Sequence, residues 1–453
     1  MNRRKRQVIL ILMLIGGLNA NSNSQGSPNV QFLGNFNNYS ATGYNDCWGY
    51  TAPNGREYAL LGVRNGTSII DITNAPTLTE VAFIPSAMSS WKDIKTYRNY
   101  AYVVTDASGL GLQIINLSTL PNTAVLVKTD STIFKTSHNI YIDTARALLY
   151  IEGLASAPVR IWSLADPVNP VQLSTFGPLN QSIHDIYARG NRAYVSEGGS
   201  GSYSIWDVSN PSAPDSLKRF YTPFRGYAHN AWLSDDGNFL MTTEETVGQT
   251  VKIFDITNLD SVKLRGEYLA PVGLAHNTHI KGRYAYISHY KDGLRIVDIL
   301  DADNPVEAGY YNTYVGGLGG DYHGDWGAFP FFNSGKVLAS DIESGLFVVY
   351  FAGSVVTKVE SSVDPPLAYS LGQNYPNPFN PRTTINFELP REAHVSITLY
   401  NILGQEIRRV AEGMYSRGMH LLQVDVGPLT SGVYFYTLKT AEFTATRKMV
   451  VVK

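Results

Sequence analysis

The chain has 453 residues, 44% of them hydrophobic, and its charge is nearly balanced, with 36 Lys and Arg against 38 Asp and Glu. That length holds more than one core, and no Lys/Arg stripe interleaved with aromatics is present, so nucleic acid is not an expected partner. The single cysteine, Cys47, excludes an internal disulfide framework and a Cys-rich zinc site, and is expected as a small buried side chain beside Trp48.

At the N-terminus Arg3, Arg4, Lys5 and Arg6 precede the apolar run Val8–Leu18, and Asn19-Ala20 follow. The run is too short to span a bilayer, and its flanks fit a secretory signal peptide over residues 1–20. No later segment reads as a membrane span. The mature chain is therefore expected outside the inner membrane.

From Asn45 to Ala352 one unit recurs seven times. Its clearest element is the third strand: GTSIIDIT (66–73), GLQIINLS (111–118), PVRIWSLA (158–165), YSIWDVSN (203–210), VKIFDITN (251–258), LRIVDILD (294–301) and a worn GLFVVYFA (345–352). The anchors Asp71, Asn116, Ser163, Asp207, Asp255 and Asp298 are spaced by 43 to 48 residues, a period of β-propeller blades. Each unit reads as four strands, as in KDIKTY (92–97), YAYVVTD (100–106), GLQIINL (111–117) and AVLVKTD (124–130). Asx-Pro loops such as 74–76 and 303–305 follow the third strand, where a missing backbone donor is tolerated. The last unit has only three strands before the chain leaves. VQFLGNF (30–36) is the expected fourth, closing the ring and hiding both sheet edges. The fold class is all-β: a seven-bladed β-propeller over residues 28–353, then a small immunoglobulin-like β-sandwich.

A linker follows at 354–369, with the Asp364-Pro365-Pro366 break. Residues 370–453 alternate as about six short strands, enough for a small sandwich.

Two polar series mark the repeats. His138, His184, His229, His276 and His323 stand at or just before the first strand of units 3 to 7, and Asp46 and Asp93 take that place in units 1 and 2. Arg64, Asp106, Glu152, Glu197, Glu244, His289 and Asp341 end the second strand. In an antiparallel hairpin those two places are neighbours, and the first strand of a blade is innermost. Both series therefore gather at one end of the central channel, with His138 expected opposite Glu152, His184 opposite Glu197, His229 opposite Glu244 and His276 opposite His289. Candidate ligand-binding residues are His138, His184, Asp185, His229, His276, His289, His323, Asp325 and Asp341. His184, His229, His276, Glu197, Glu244 and His289 offer donors for a divalent cation, zinc or calcium. Repetition in every unit also fits a structural role, a hydrogen bond that satisfies backbone at a strand end. Departures from the repeat fall in units 5 to 7: Glu244-Glu245, the extra His279, His289, and the Gly-rich loop 316–326, expected as a rim over the channel mouth. That loop lacks the strand-to-helix context of a phosphate site, and no nucleophile elbow, HExxH or EF-hand loop occurs.

The repeats resemble the LVIVD family, GLRIVDI (293–299) most closely, and residues 28–353 resemble the choice-of-anchor B proteins. That resemblance implies an exported propeller and no defined reaction. NYPNPFNPRTTINFELP (374–390), VSITLYNILGQEI (395–407), LTSGVYFYTL (429–438) and TRKMVVVK (446–453) resemble, in order and spacing, the C-terminal sorting domain of the type IX secretion system. It implies recognition of residues 370–453 by outer-membrane secretion machinery, then removal of this domain and release or attachment at the cell surface. The expected function is an exported module binding an unknown extracellular ligand at the channel end. The alternative is a metal-assisted hydrolase or lyase at the same mouth, with Glu197 or Glu244 as base.

Overall fold

A computed structural model describes residues 25–353 and 369–452, apart from 108, 133, 153–157, 179–182, 315, 317–321, 375–376, 416–417 and 428. The expected signal peptide, most of the linker and the centre of the Gly-rich loop lie outside the described residues. Among the described residues there is no α-helix, only the 3-10 turn Leu259–Ser261, and no helix is long and apolar enough to cross a membrane.

Residues 25–353 form seven antiparallel sheets of four strands each. Their first strands are Tyr44–Thr51, Lys92–Tyr97, Ile140–Asp143, Asp185–Arg189, Ala228–Leu233, Thr278–Lys281 and Asp325–Phe329. Each first strand contacts the first strand of the next sheet, and Asp325–Phe329 returns to contact Tyr44–Thr51. These seven strands therefore line a common interior. Val30–Phe36 supplies the fourth strand of the last sheet by pairing with Gly345–Phe351, Val30 opposite Phe351 and Phe36 opposite Leu346. The two ends of the repeat region are thus held in one sheet, and neither leaves that edge unpaired.

Alternation of β-branched and aromatic residues gives each sheet two apolar faces, and neighbouring sheets bury them together. Tyr58, Leu60 and Ile69 of the first sheet pack on Ile94, Val103 and Ile115 of the second. At the closing junction, Leu61 and Ile70 pack on Phe329, Leu338 and Val348 of the last. Cys47 is fully buried in that cluster, as its sequence context suggests. Burial of both faces explains why a third strand such as Gly345–Phe351, GLFVVYF, reads as a continuous apolar run.

Residues 369–452 form a separate pair of sheets. One holds Ser370–Leu371, Arg382–Leu389 and Gly418–Asp425, and the other holds Glu406–Tyr415, Ala393–Tyr400, Gly432–Lys439 and Thr444–Val451. Ile385, Phe387, Ile397, Leu399, Tyr436, Leu438 and Met449 from both sheets share one buried core.

Candidate functional site

Chemistry-bearing side chains gather where the first strands begin. His138, His184 and His276 stand just before their strands, and His229 lies inside its own. The register of that hairpin shifts between Ala228 and Asn230, so His229 is an extra residue on its strand. Such a bulge re-aims a side chain that strict alternation would turn into the sheet junction. Trp326 occupies the same kind of shift, between Asp325 and Gly327. Just ahead of it, Gly324 has φ +92, and a Cβ there would fall 2.5 Å from the Tyr290 carbonyl oxygen. Glycine at 324 therefore allows the backbone bridge between Tyr290 and Asp325 that positions Trp326.

The result is a closed circuit of six rings. Centroids are 4.7 Å apart for His138–His184, 4.0 Å for His184–His229, 4.2 Å for His229–His276 and 4.5 Å for His276–Trp326. Trp91 closes it, 6.3 Å from Trp326 and 6.2 Å from His138. These rings line a cavity of about 570 Å³, whose wall also holds Arg64, Asp106, Glu152, Tyr227, Glu245 and Tyr290. That volume suits a small organic ligand.

Hydrogen bonds orient the rings. Nδ1 of His184 lies 3.1 Å from the carbonyl oxygen of His229, and Nδ1 of His276 lies 2.5 Å from that of Trp326. A carbonyl only accepts, so each Nδ1 carries the proton and each Nε2 is left with a lone pair in the neutral ring. Burial holds His184, His229 and His276 neutral: it pushes His276 down to about 3, and it pushes His184 and His229 well below the ordinary range, with neighbouring imidazoles adding to the effect. For His138 burial also disfavours charge, but Asp106, 3.2 Å away, outweighs it and holds the ring above its ordinary value.

A second layer lies deeper along the same strands, and it ties sheets together. Asp93 accepts from the Ile140 amide at 2.7 Å, and Asn230 accepts from the Thr278 amide at 3.0 Å, each across a sheet junction. Asp185 takes a bond from Asn230 and the amide of Ile186, while burial pushes its carboxyl up to about 7. Lys95 is paired with Asp93 and lies 3.8 Å from Asp46. Asp185, proposed from sequence for ligand binding, belongs to this structural layer.

Six other candidate residues lie away from the cavity. Glu197 is fully buried, with Arg219 at 2.6 Å and Ser202 at 2.5 Å. Glu244 is paired with Lys252, both fully buried, and also accepts from Thr222 and Gly226. In both cases cations on outer strands of the same sheet draw the carboxylate away from the axis, so neither faces His184 or His229 as the hairpin geometry suggests. His289 is enclosed 3.2 Å from Asp292 instead of facing His276. His323 lies half-buried on Glu343 at 2.5 Å and stacks on Tyr314, and Trp326 takes its expected place in the ring. Asp325 and Asp341 are buried neighbours behind the ring, and burial first, then mutual repulsion with nearby acids, raises Asp325. Asp341 caps the turn at Glu343 and Ser344. His279 points to the other part of the interior, against Trp48, Trp232 and Phe331.

Sequence reasoning placed His138 with Glu152, and both line the cavity. It missed Trp91, Trp326 and Glu245. The signal for Glu245 was its doubling with Glu244: one carboxylate enters the sheet and the next returns toward the axis, as strand alternation requires. Nε2 of His229 lies 3.8 Å from Glu245, which also accepts from the hydroxyl of Tyr290.

Comparison with known proteins agrees with this geometry at the level of the repeat. The LVIVD repeat matches residues 182–222 and 272–313, each span holding one whole four-stranded sheet and the histidine that leads it. Residues 373–452 match the secretion system C-terminal sorting domain. No curated protein matches the chain. The chain thus carries LVIVD repeats ahead of a secretion system C-terminal sorting domain, the makeup of an exported repeat protein.

Proposed function

We propose that residues 28–353 are a seven-bladed β-propeller that is exported and binds a small organic ligand at one mouth of its channel. Support for the architecture comes from seven four-stranded sheets whose first strands touch in cyclic order. Residues 1–20 serve as signal peptide, 354–369 as linker, and 370–453 as an immunoglobulin-like sandwich that delivers the chain to type IX secretion machinery. The destination is the cell surface or the medium.

One observation carries the binding role: the rings of His138, His184, His229, His276, Trp326 and Trp91 line one cavity, and the Nδ1 bonds of His184 and His276 leave their Nε2 atoms as acceptors. A ligand that offers hydrogen-bond donors to these nitrogens and to Asp106, and an apolar face to the tryptophans, fits the wall. The hydrolase or lyase alternative loses its two named bases, because Glu197 and Glu244 are held in ion pairs away from the cavity. The test uses the two tryptophans as reporters. Purified protein is titrated with panels of sugars, amines and short peptides, following tryptophan fluorescence. A saturable change that disappears in Trp326→Leu supports the reading, and no saturable response from any panel contradicts it.

A further inference from the structure

Within the ring, two imidazoles and one carboxylate converge more closely than any other set of potential metal-binding side chains among the described residues. One donor atom from each of His229, Glu245 and His276 lies within 4.8 Å of the other two. We propose that these three residues hold one divalent transition-metal ion, of the zinc class, in the cavity wall.

The geometry carries the proposal on three counts. Two donors bonded to zinc at about 2.0–2.1 Å and a tetrahedral angle lie about 3.4 Å apart. Nε2 of His229 and the Glu245 carboxylate are 3.8 Å apart, too far for a hydrogen bond and close to the spacing an ion between them sets. His276 presents the right atom, since its Nδ1 proton is engaged by Trp326 and its Nε2 is left as a ligand. Tyr290 donates its hydroxyl to one oxygen of Glu245, which fixes the carboxylate and leaves the other oxygen beside His229. Carbonyl behind histidine and hydroxyl behind carboxylate are the outer partners that orient metal ligands.

The donor set selects the ion. Calcium takes six to eight oxygens, whereas two imidazoles and a carboxylate suit zinc or a neighbouring first-row metal. Three protein ligands leave a further coordination position, which faces the cavity. The metal thus specifies the ligand class of the proposed binding site, on which this inference rests: a small molecule that can place an anionic or lone-pair oxygen on the ion. The Nε2 of His184 and the carboxyl of Glu152 share the same wall and are available to its remaining polar groups.

The test is metal binding by the purified full chain. After chelation and dialysis, zinc titration by calorimetry should give one site per chain. Cobalt should give the visible absorption of a low-symmetry, nitrogen-containing site. Glu245→Gln and His276→Ala should each abolish both signals, and Tyr290→Phe should weaken zinc affinity about 10- to 100-fold, as outer-partner changes do. His323→Ala, at a half-exposed histidine outside the cavity, should bind as the parent does. Circular dichroism of each variant separates lost binding from lost fold, and Tyr290→Phe keeps the test open if His276→Ala does not fold. Zinc binding that is absent, or that survives both ligand substitutions, overturns the metal site. An organic ligand still detected by tryptophan fluorescence in that case leaves the cavity reading standing.

Discussion

Nδ1 of His276 sits 2.5 Å from the carbonyl oxygen of Trp326, on the neighbouring sheet. One contact therefore joins two sheets and also decides which nitrogen faces the cavity. His184 repeats it with His229 at 3.1 Å. The repeated histidines thus serve fold and site with different atoms of the same ring. That division predicts separable effects on stability and binding.

Glu244 belongs to the fold. Its cationic partner, Lys252, is fully buried with it, and removing one member of such a pair strands the other charge. Glu244→Gln should destabilise the repeat region by about 3–5 kcal/mol in denaturant titration. Ligand response per folded molecule should remain. A variant of full stability that loses ligand binding would return Glu244 to the site.

His279 gives a signed pH effect. Burial among Trp48, Trp232 and Phe331 pushes its folded value down to about 3, against 6.5 for an ordinary ring. Between those values the unfolded chain binds a proton that the folded chain does not, so this group contributes stability above pH 6.5 and loses it as pH falls. Phenylalanine at 279 removes that proton uptake. The variant should gain on the parent by about 1.4 kcal/mol per pH unit as pH drops below 6.5, measured as the difference between their unfolding free energies. Buried acids such as Asp185 act in the opposite direction, and the difference between the two proteins cancels their contribution. A difference independent of pH would mean that His279 is charged in the folded state.

His138 behaves in the opposite sense. Asp106 holds it above the ordinary value despite burial. Its contribution is fully present below pH 6.5 and is lost as pH rises through the folded value. NMR titration should place His138 above 6.5 in the parent and lower in Asp106→Asn. Equal values in the two proteins would show that the pair does not interact.

The repeat architecture was legible because its cause is local: strand alternation, turn residues and a fixed period recur in every unit. Even the pairing of Val30–Phe36 with Gly345–Phe351 followed from counting the strands of the last unit. The site was legible only in part. Position along the chain correctly brought His138, His184, His229 and His276 together, because all four lead an inner strand. Direction was not legible. Glu197 and Glu244 end their strands where expected, yet Arg219 and Lys252, on later strands of the same sheets, draw them outward. Bulges at His229 and Trp326 change which side chain faces the axis, and nothing in a one-dimensional pattern marks them. In the last unit His323 occupies the repeat position, but Trp326 occupies the ring.

The most direct check on the ring as a binding site, as opposed to a structural feature, is the melting temperature of His229→Leu measured with a chelator present. His229 is buried, and its Nδ1 lies near the His276 carbonyl without closing a hydrogen bond; that carbonyl already accepts from Thr243 at 2.5 Å. A neutral ring placed there for a ligand costs stability, and an apolar side chain of similar size relieves that cost. The account predicts cooperative melting at or above the parent temperature. A fall of more than about 4 °C, the effect of roughly 2–3 kcal/mol in a domain of this size, would show that the imidazole holds the fold together and would contradict it.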